Sequence, residues 1–311
     1  MKRTSPLLSI LFVGLVVVLF GSMSKPVHTS SQVEKKTLAE EIQSYAEEHR
    51  TEPIDAKIDR VWKAIPGYNG LSVDIDASLR KMSPGQKFDA AQLILKEVAP
   101  KVHLSDLSPS PIYRGNPEKP MVALFINVAW GDEFIPTILE TLKKREVKAT
   151  FFFDGSWVKK NPDLAKLIYQ DNHEIGNHAY SHPDLQHLSQ QETNNELKKT
   201  SDVIEQTLGI QPKWFAPPSG SFNQQTVDIA RKLDMYTVLW TVDTVDWRKP
   251  ATSDMVQKVL SEVGSGSMVL MHPTKPVAEG LGQMIEGIEE KGYVLGTVSE
   301  IMSEDRIDLK E

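Results

Sequence analysis

His178 and His182 are the residues whose type and spacing most directly indicate chemistry. They lie four positions apart in the segment 176–183. If this segment forms one helical turn, both imidazoles project from the same face, and such a pair suits zinc or a similar divalent ion. Two histidines at this spacing are also common as unrelated surface or capping residues. The pair alone therefore leaves a metal site and a structural role as alternatives.

Other polar side chains stand directly after predicted strands. Asn127 follows the first strand, Asp243 and Asp246 follow the fifth, and His272 follows the sixth. Barrels of parallel strands carry their chemistry at the carboxyl-terminal strand ends. We therefore expect these side chains to meet at the edge where His178 and His182 also lie.

A strand–helix alternation after residue 120 provides the scaffold for these residues. Seven strands are predicted, at 121–126, 148–153, 174–176, 213–215, 236–242, 267–271 and 293–297. Helices are predicted between them, at 137–144, 162–170, 189–208, 224–233, 253–263 and 278–291. The alternation predicts a parallel sheet, and this number of units in about 185 residues favours a closed or nearly closed (β/α) barrel over a doubly wound sheet.

Residues 25–107 are predicted to form a small, mostly helical N-terminal domain. Thr37 and Glu40 match a capping box. Apolar side chains then recur at spacings of three and four, at Ile54, Ile58, Val61, Trp62 and Ile65. Residues 108–120 are rich in proline, which indicates a linker, and residues 121–305 form the barrel domain.

Residues 1–24 have the pattern of a targeting segment. Lys2 and Arg3 precede an apolar run at 7–20, so the chain is expected to be exported. A run of about 14 to 18 apolar residues is long for the core of a signal peptide and short for a membrane span. A cleaved signal peptide and an N-terminal membrane anchor therefore remain as alternatives.

The composition excludes several classes of protein. The chain has 311 residues, of which 40% are hydrophobic and 25% charged, as in a globular protein with one large and one smaller domain. It contains no cysteine, so disulfides, thiolate metal sites and a cysteine nucleophile are excluded, and a metal would need histidine and carboxylate ligands. The formal charge of -7 argues against nucleic acid as the main partner.

Five short motifs stand in order between residues 117 and 305. They read VKATFF at 147–152, HEIGNHAYSHP at 173–183, FAPPSG at 215–220, DTVDW at 243–247 and LMH at 270–272. Together they resemble the polysaccharide deacetylase family, the carbohydrate esterases with a NodB homology domain. The resemblance implies a distorted seven-stranded (β/α) barrel that binds a divalent metal and removes N- or O-acetyl groups from sugar polymers.

The resemblance also assigns roles to residues that match the family. It makes His178 and His182 metal ligands, His272 the general acid that protonates the leaving amine, and Asp246 the carboxylate that tunes His272. Proton transfer by a histidine beside a carboxylate, and metal binding by two imidazoles, agree with these roles. The resemblance also implies a substrate groove lined by four apolar residues, Trp247, Leu270, Pro217 and Pro218.

Three positions depart from the family pattern. Where the family has Thr-Phe-Asp-Asp, this chain has Phe-Ile-Asn-Val at 125–128, so Asn127 replaces the base and Val128 replaces the metal carboxylate. An amide cannot accept a proton at neutral pH, and an isopropyl group cannot bind a metal. Ala216 replaces the arginine that pairs with the base. A divalent metal such as zinc or cobalt would therefore be held weakly.

Three hypotheses follow. The first is a pseudoenzyme of the bacterial cell envelope that recognises cell-wall glycan, either peptidoglycan or an N-acetylglucosamine polymer, and that resembles the sporulation-type members of the family. The second is a weak or altered deacetylase in which Asp132, Glu133 or Asp246 replaces the base. The third is a protein that works through its N-terminal region, with the barrel as a platform.

Overall fold

A computed structural model describes residues 36–82 and 86–307. The leader predicted at residues 1–24 lies outside these residues. The chain from Leu38 onward belongs to one compact unit. Among the helices of the described residues, none combines the length and the apolar character needed to cross a membrane.

The N-terminal part of this unit contains both helices and strands. Its helices are α1 (Leu38–Glu48) and α2 (Ile75–Lys81). Its strands form two antiparallel pairs, β1 (Lys57–Asp59) with β2 (Lys63–Ile65) and β3 (Gly70–Val73) with β4 (Leu95–Val98). The prediction of a mostly helical region is therefore wrong for this part of the chain, which is mixed.

The error arises at residues 54–65, whose apolar spacing matches a helix although the segment forms the β1–β2 hairpin. Asp59 makes the turn, because its carboxylate accepts hydrogen bonds from the amides of Val61 and Trp62 at 2.7 and 2.8 Å. Lys63 then takes a positive φ of 59°. A side chain that bonds the backbone locally in this way competes with helix formation.

The remaining strands form one parallel sheet that curls into a distorted barrel. They are β5 (Met121–Val128), β6 (Thr150–Phe153), β7 (Glu174–Asn177), β8 (Trp214–Phe215), β9 (Tyr236–Thr237), β10 (Val242–Asp243), β11 (Ser267–Met271) and β12 (Val294–Gly296). The order is β10-β11-β5-β6-β7-β8-β9, and β12 also pairs with β5. Two of these eight strands, β9 and β10, come from one predicted strand, so the predicted seven-stranded (β/α) barrel is confirmed.

One predicted strand, at 236–242, divides into two. Its beginning is β9, which pairs with β8 at one edge of the sheet, and its end is β10, which pairs with β11 at the other edge. The same extended segment therefore contributes to both edges, which is how the sheet curls towards closure.

Helices connect the strands of the sheet, as the alternation predicts. They are α3 (Ile135–Lys144), α4 (Gly155–Lys160), α5 (Pro162–Gln170), α6 (Gln190–Leu208), α7 (Gln224–Lys232), α8 (Thr252–Glu262), α9 (Lys275–Glu290) and α10 (Val298–Met302). The capping box of Ser189 and Glu192 and the left-handed Gly209 bound α6, which agrees with the helix predicted at 189–208.

The sheet is buried on both faces. Every residue of β5 is buried. Alternate residues of β5 point to two different cores: Val122, Leu124 and Ile126 pack beneath the helices, and Phe125 packs inside the barrel, where its ring stacks on Phe152 at 4.1 Å. A filled barrel of this kind is a rigid support, and side chains that follow its strands are held in fixed positions.

Residues 108–120 touch the edge of the sheet. The amide of Ile112 donates to Thr237 at 2.9 Å, and the amide of Leu239 donates to the carbonyl of Ile112 at 2.8 Å. Ile112 also forms a bridge with Lys63 of the β1–β2 hairpin. The division of the chain into a domain at 25–107, a linker at 108–120 and a domain at 121–305 stays a prediction.

Candidate functional site

The candidate site lies at the carboxyl-terminal ends of neighbouring parallel strands. Asn127 and Val128 end β5, His178 follows β7, Ala216 follows β8 and His272 follows β11. Because β5 lies between β11 and β6 in the sheet, these strand ends form one continuous edge.

His178 is held in the protonation state that can bind a metal ion. Its side chain is 1% exposed, and its Nδ1 lies 2.8 Å from the carbonyl oxygen of Ala216. A carbonyl accepts only, so Nδ1 carries the proton and the lone pair is on Nε2. Burial, and to a smaller extent the neighbouring His182, lower the pKa of His178 to about 3. The imidazole is therefore neutral at pH 7, which is the form that binds metal.

His182 reaches His178 through a loop and not through a helix. The segment between them has no helical turn, so that part of the prediction is wrong. Instead, Ala179 and His182 both adopt positive φ values, of 60° and 57°. This chain reversal brings the two rings edge to face with their centres 5.2 Å apart. The two predicted ligands are thus adjacent by a different local structure.

Two residues that the sequence reasoning missed hold this loop. The side chain of Asn177, the last residue of β7, accepts from the amide of Ala179 at 2.9 Å and donates to the carbonyl of Leu197 at 2.8 Å. Glu196 of α6 accepts from the amides of Tyr180 and Ser181, both at 2.9 Å. Asn177 directly follows the strand predicted at 174–176, which is a usable signal, whereas nothing in the sequence connects Glu196 to this loop.

His272 and Asp246 form a hydrogen-bonded pair. The Nδ1 of His272 lies 2.8 Å from Oδ1 of Asp246, and the amide of His272 donates to Oδ2 at 2.6 Å. Asp246 is fully buried, whereas the His272 side chain is 17% exposed. This arrangement fixes the tautomer of His272 and leaves its Nε2 towards the open side. The structure therefore keeps the geometry of an acid–base histidine with an orienting carboxylate.

Trp247 and Leu270 flank this pair, with very different exposure. Trp247 is 49% exposed, and the guanidinium of Arg248 lies 4.6 Å from its ring centre. Leu270 is 3% exposed. Pro217 and Pro218 are both buried beside Ala216. The role of these four residues in a substrate groove stays a prediction.

Asn127 and Val128 lie at the end of β5, where the family resemblance predicts two carboxylates. Asn127 is 3% exposed, and its Oδ1 finds no hydrogen-bond partner among the described residues. Val128 is fully buried in the core beneath the helices. In the described part of the chain, no three histidine or acidic side chains are grouped so that they could hold a metal ion. The donor set, two imidazoles without a carboxylate, does not fit a tightly bound divalent metal.

Of the three acidic residues proposed as substitute bases, two are hydrogen-bonded to other side chains and the third lines a neighbouring cavity. Asp132 accepts a hydrogen bond from the indole of Trp157 at 2.5 Å, and Asp246 is bound to His272. Glu133 lies in the first turn after β5, at the wall of a neighbouring cavity. We therefore find no free carboxylate among these three at the position that Asn127 has lost.

Asp154 is a further buried acid that the sequence reasoning missed. It is 2% exposed and caps α4, accepting from the amide of Trp157 at 2.9 Å and from the hydroxyl of Ser156 at 2.6 Å. Burial raises the pKa of its carboxyl, and the hydrogen bonds from Ser156 and Trp157 oppose that shift. Its hydrogen bonds assign it to the helix terminus.

The barrel, the paired histidines and the His272–Asp246 pair define the class of protein, a carbohydrate deacetylase scaffold. The family model for polysaccharide deacetylase matches residues 114–238. A peptidoglycan-N-acetylglucosamine deacetylase of Bacillus cereus is 34% identical over 185 residues, which are 58% of this chain and 67% of that protein. This chain belongs to the polysaccharide deacetylase family.

Two further relatives cover almost the whole chain. The uncharacterized protein YlxY of Bacillus subtilis is 52% identical over 287 residues, or 92% of this chain and 90% of that protein. The crystal structure of BA3943, a CE4 family pseudoenzyme from Bacillus anthracis, is similar with a TM-score of 0.82 and 49% identity, over 88% of this chain and 98% of that one. A mutant of BA3943 has restored enzymatic activity.

Proposed function

We propose that this protein is a disarmed deacetylase that binds N-acetylated cell-wall glycan through the groove of its barrel. The proposal is supported by one observation, that some of the expected functional side chains are present at the edge of the sheet and others are replaced. His178, His182 and the His272–Asp246 pair are in place, whereas Asn127 and Val128 fill the positions of the base and of the metal carboxylate.

The remaining groups can perform only part of the family's reaction. Hydrolysis of an acetamide needs a base to take a proton from water and an acid to protonate the leaving amine. His272 supplies the acid, but the amide of Asn127 has no basic lone pair. A positioned general base contributes about 10²–10⁴ in rate, so its loss removes most of the acceleration.

The substrate class comes from the relatives. The Bacillus cereus relative is named for N-acetylglucosamine in peptidoglycan, and BA3943 is a pseudoenzyme of the same family. We propose that the ligand of this chain is likewise a polymer with N-acetylated sugars. The net charge of -7 argues against nucleic acid as a competing partner.

The proposed location is the outer side of the cell envelope of a spore-forming bacterium. The leader at residues 1–24 supports export, either by secretion or with a membrane anchor. A location outside the cytoplasm also matches a ligand in the cell wall. Detection of the chain in fractionated cells, with and without detergent, distinguishes an anchored from a secreted form.

A second candidate function is weak deacetylation, and the retained His272–Asp246 pair favours it. We test the two functions on one sample of the full chain. Binding of N-acetylglucosamine oligomers is measured by calorimetry, and acetate release is measured with added zinc or cobalt. The pseudoenzyme predicts binding without turnover. Turnover that disappears in His272→Ala supports the weak enzyme, and absence of both signals contradicts both functions.

A further inference from the structure

A cavity of about 780 Å³ lies beside the altered centre. Its walls come from the loop after β5, from the loop between β10 and α8, and from the start of α9. Its volume is in the range of pockets that enclose a small organic ligand. Asn127, Val128 and His272 stand outside its walls.

Trp130 forms the boundary between the cavity and the altered centre. Its ring is nearly parallel to that of His272, with an interplanar angle of 9° and the ring centres 5.7 Å apart. Trp130 also lines the cavity and remains 46% exposed. A group bound in the cavity would therefore lie next to the His272–Asp246 pair, although neither residue of the pair lines the cavity.

The apolar part of the cavity has the form of a stacking surface. Trp130 and Trp247 both line it and are both about half exposed, at 46% and 49%. Ligand pockets are lined mostly by apolar and aromatic side chains, and an exposed apolar patch in a concave wall is one mark of a binding groove. A pyranose ring presents a flat face of C–H groups, which packs against indole, and a rim of hydroxyl groups, which needs polar partners.

The polar part of the cavity supplies such partners. Thr274 is 4% exposed, and its hydroxyl has no hydrogen-bond partner among the described residues. Thr274 is the N-cap of α9 and Ala251 is the N-cap of α8, and neither side chain caps its helix. Both helices therefore begin at the cavity with first-turn amides that no side-chain cap satisfies. An unpaired buried hydroxyl is unfavourable for folding alone.

The charges around the cavity favour an uncharged ligand. Two lysines and two glutamates line the cavity, so the side-chain charges balance: Lys249, Lys275, Glu133 and Glu279. Lys275 also pairs with Glu279, at 3.6 Å. Balanced charges and free donors recognise hydroxyl and amide groups better than a carboxylate or a phosphate.

We propose that this cavity is a sugar subsite that binds one pyranose unit of an N-acetylated glycan beside the altered deacetylase centre, with Trp247 shared between the predicted substrate groove and the subsite. This inference rests on the proposed function. The ring packs on Trp130 and Trp247, and a ligand hydroxyl or amide pairs with Thr274. The protein would then hold a longer stretch of glycan than the former catalytic groove alone accommodates.

Thr274→Val provides a test in which binding and folding change differently. The variant removes a hydroxyl that has no partner in the free protein, so the thermal midpoint should stay the same or rise. Calorimetry of the full chain with the N-acetylglucosamine hexasaccharide should show affinity weakened roughly tenfold. In the wild type the hexasaccharide should bind more tightly than the disaccharide, and the variant should lose this advantage.

Trp130→Ala gives an independent measurement, with Trp62→Ala as its matched control. Trp62 is 37% exposed and lies on the β1–β2 hairpin, outside the cavity walls. We expect Trp130→Ala to weaken hexasaccharide binding roughly tenfold or more and Trp62→Ala to leave it unchanged. Unchanged affinity in both Trp130→Ala and Thr274→Val overturns the subsite while the proposed function stands. Absence of glycan binding by the wild type overturns both.

Discussion

His272 and Asp246 are joined by two hydrogen bonds, one from the imidazole at 2.8 Å and one from the backbone amide at 2.6 Å, to the two oxygens of a single buried carboxylate. A pair held through both side chain and backbone is part of the loop's structure as well as a unit for proton transfer. The pair therefore has a structural role that does not depend on catalysis.

We first predict that Asp246→Asn destabilises the fold. The amide can replace only one of the two acceptor oxygens and turns its NH₂ group towards a donor. Loss of a buried hydrogen bond in this way costs about 1–3 kcal/mol. Urea unfolding measures the change. Asp163→Asn, in which the parent side chain is 98% exposed, is the control and should leave stability the same. Equal stability of Asp246→Asn and wild type would show that the pair has no structural role.

We next predict that Val128→Asp unfolds more easily but gains a response to metal. Val128 is fully buried, and an unpaired carboxylate there should cost roughly 3 kcal/mol or more. Zinc should raise the thermal midpoint of this variant, because His178, His182 and the new carboxylate supply three ligands. Val128→Asn is the matched control, with similar size and no charge. A zinc response in the control equal to that of Val128→Asp would contradict the assignment.

Asn127 and Ala216 should be energetically coupled when they are replaced together. Ala216→Arg alone places a guanidinium at a fully buried position and should strongly destabilise the protein. Addition of Asn127→Asp supplies the opposite charge and should recover part of the loss. A double-mutant cycle in urea should give a favourable coupling on the order of 1–3 kcal/mol. Additive effects would mean that the two side chains do not meet.

Stability should fall as the pH decreases from about 6.5 towards 4, and His173 should contribute to the fall. Burial lowers the pKa of His173 from 6.5 to about 4, and the nearby Lys148 acts in the same direction. Between these values the unfolded chain binds a proton that the folded chain does not, so acid favours unfolding, by at most about 3 kcal/mol.

The check on His173 compares urea unfolding near pH 7 and near pH 5. His173→Gln should reduce the difference in stability between the two pH values. His178, whose pKa is about 3, contributes in the same direction and should keep part of it. His187→Gln is the control, because the His187 side chain is 74% exposed. An undiminished pH dependence in His173→Gln would show that His173 titrates normally.

The sequence predicts the elements whose ends are marked by local chemistry. The bounds of α6 follow from the capping box at Ser189 and from Gly209, and the predicted strand at 267–271 is β11 itself. His173, in the same motif as the two candidate ligands, is buried, and its Nδ1 accepts from the amide of Ala149 at 3.3 Å. These features depend on neighbours in the chain or on a clear apolar run.

The sequence does not predict features that depend on distant contacts or on unusual backbone angles. Glu196 lies 15 residues after Ser181, whose amide donates a hydrogen bond to it. The loop that joins the two histidines depends on positive φ angles at Ala179 and His182, which residue types there do not indicate. Trp130 is an ordinary residue in the sequence, and its position over His272 emerges only from the curled sheet.

The central claim is that three substitutions disarm an otherwise intact centre, and acetate release tests it most directly. The variant Asn127→Asp, Val128→Asp and Ala216→Arg is compared with wild type on N-acetylglucosamine oligomers in the presence of zinc, with the metal-to-protein ratio measured on the same samples. Base, metal ligand and arginine act as a unit, so single changes should do less than the triple change.

We predict that the wild type releases acetate only at the background rate, that the triple variant binds zinc and releases acetate, and that further change of His272→Ala abolishes this release. A triple variant that folds and binds zinc but releases no acetate would contradict the claim that the rest of the centre is intact. Turnover by the wild type that depends on His272 would contradict the claim that it is disarmed.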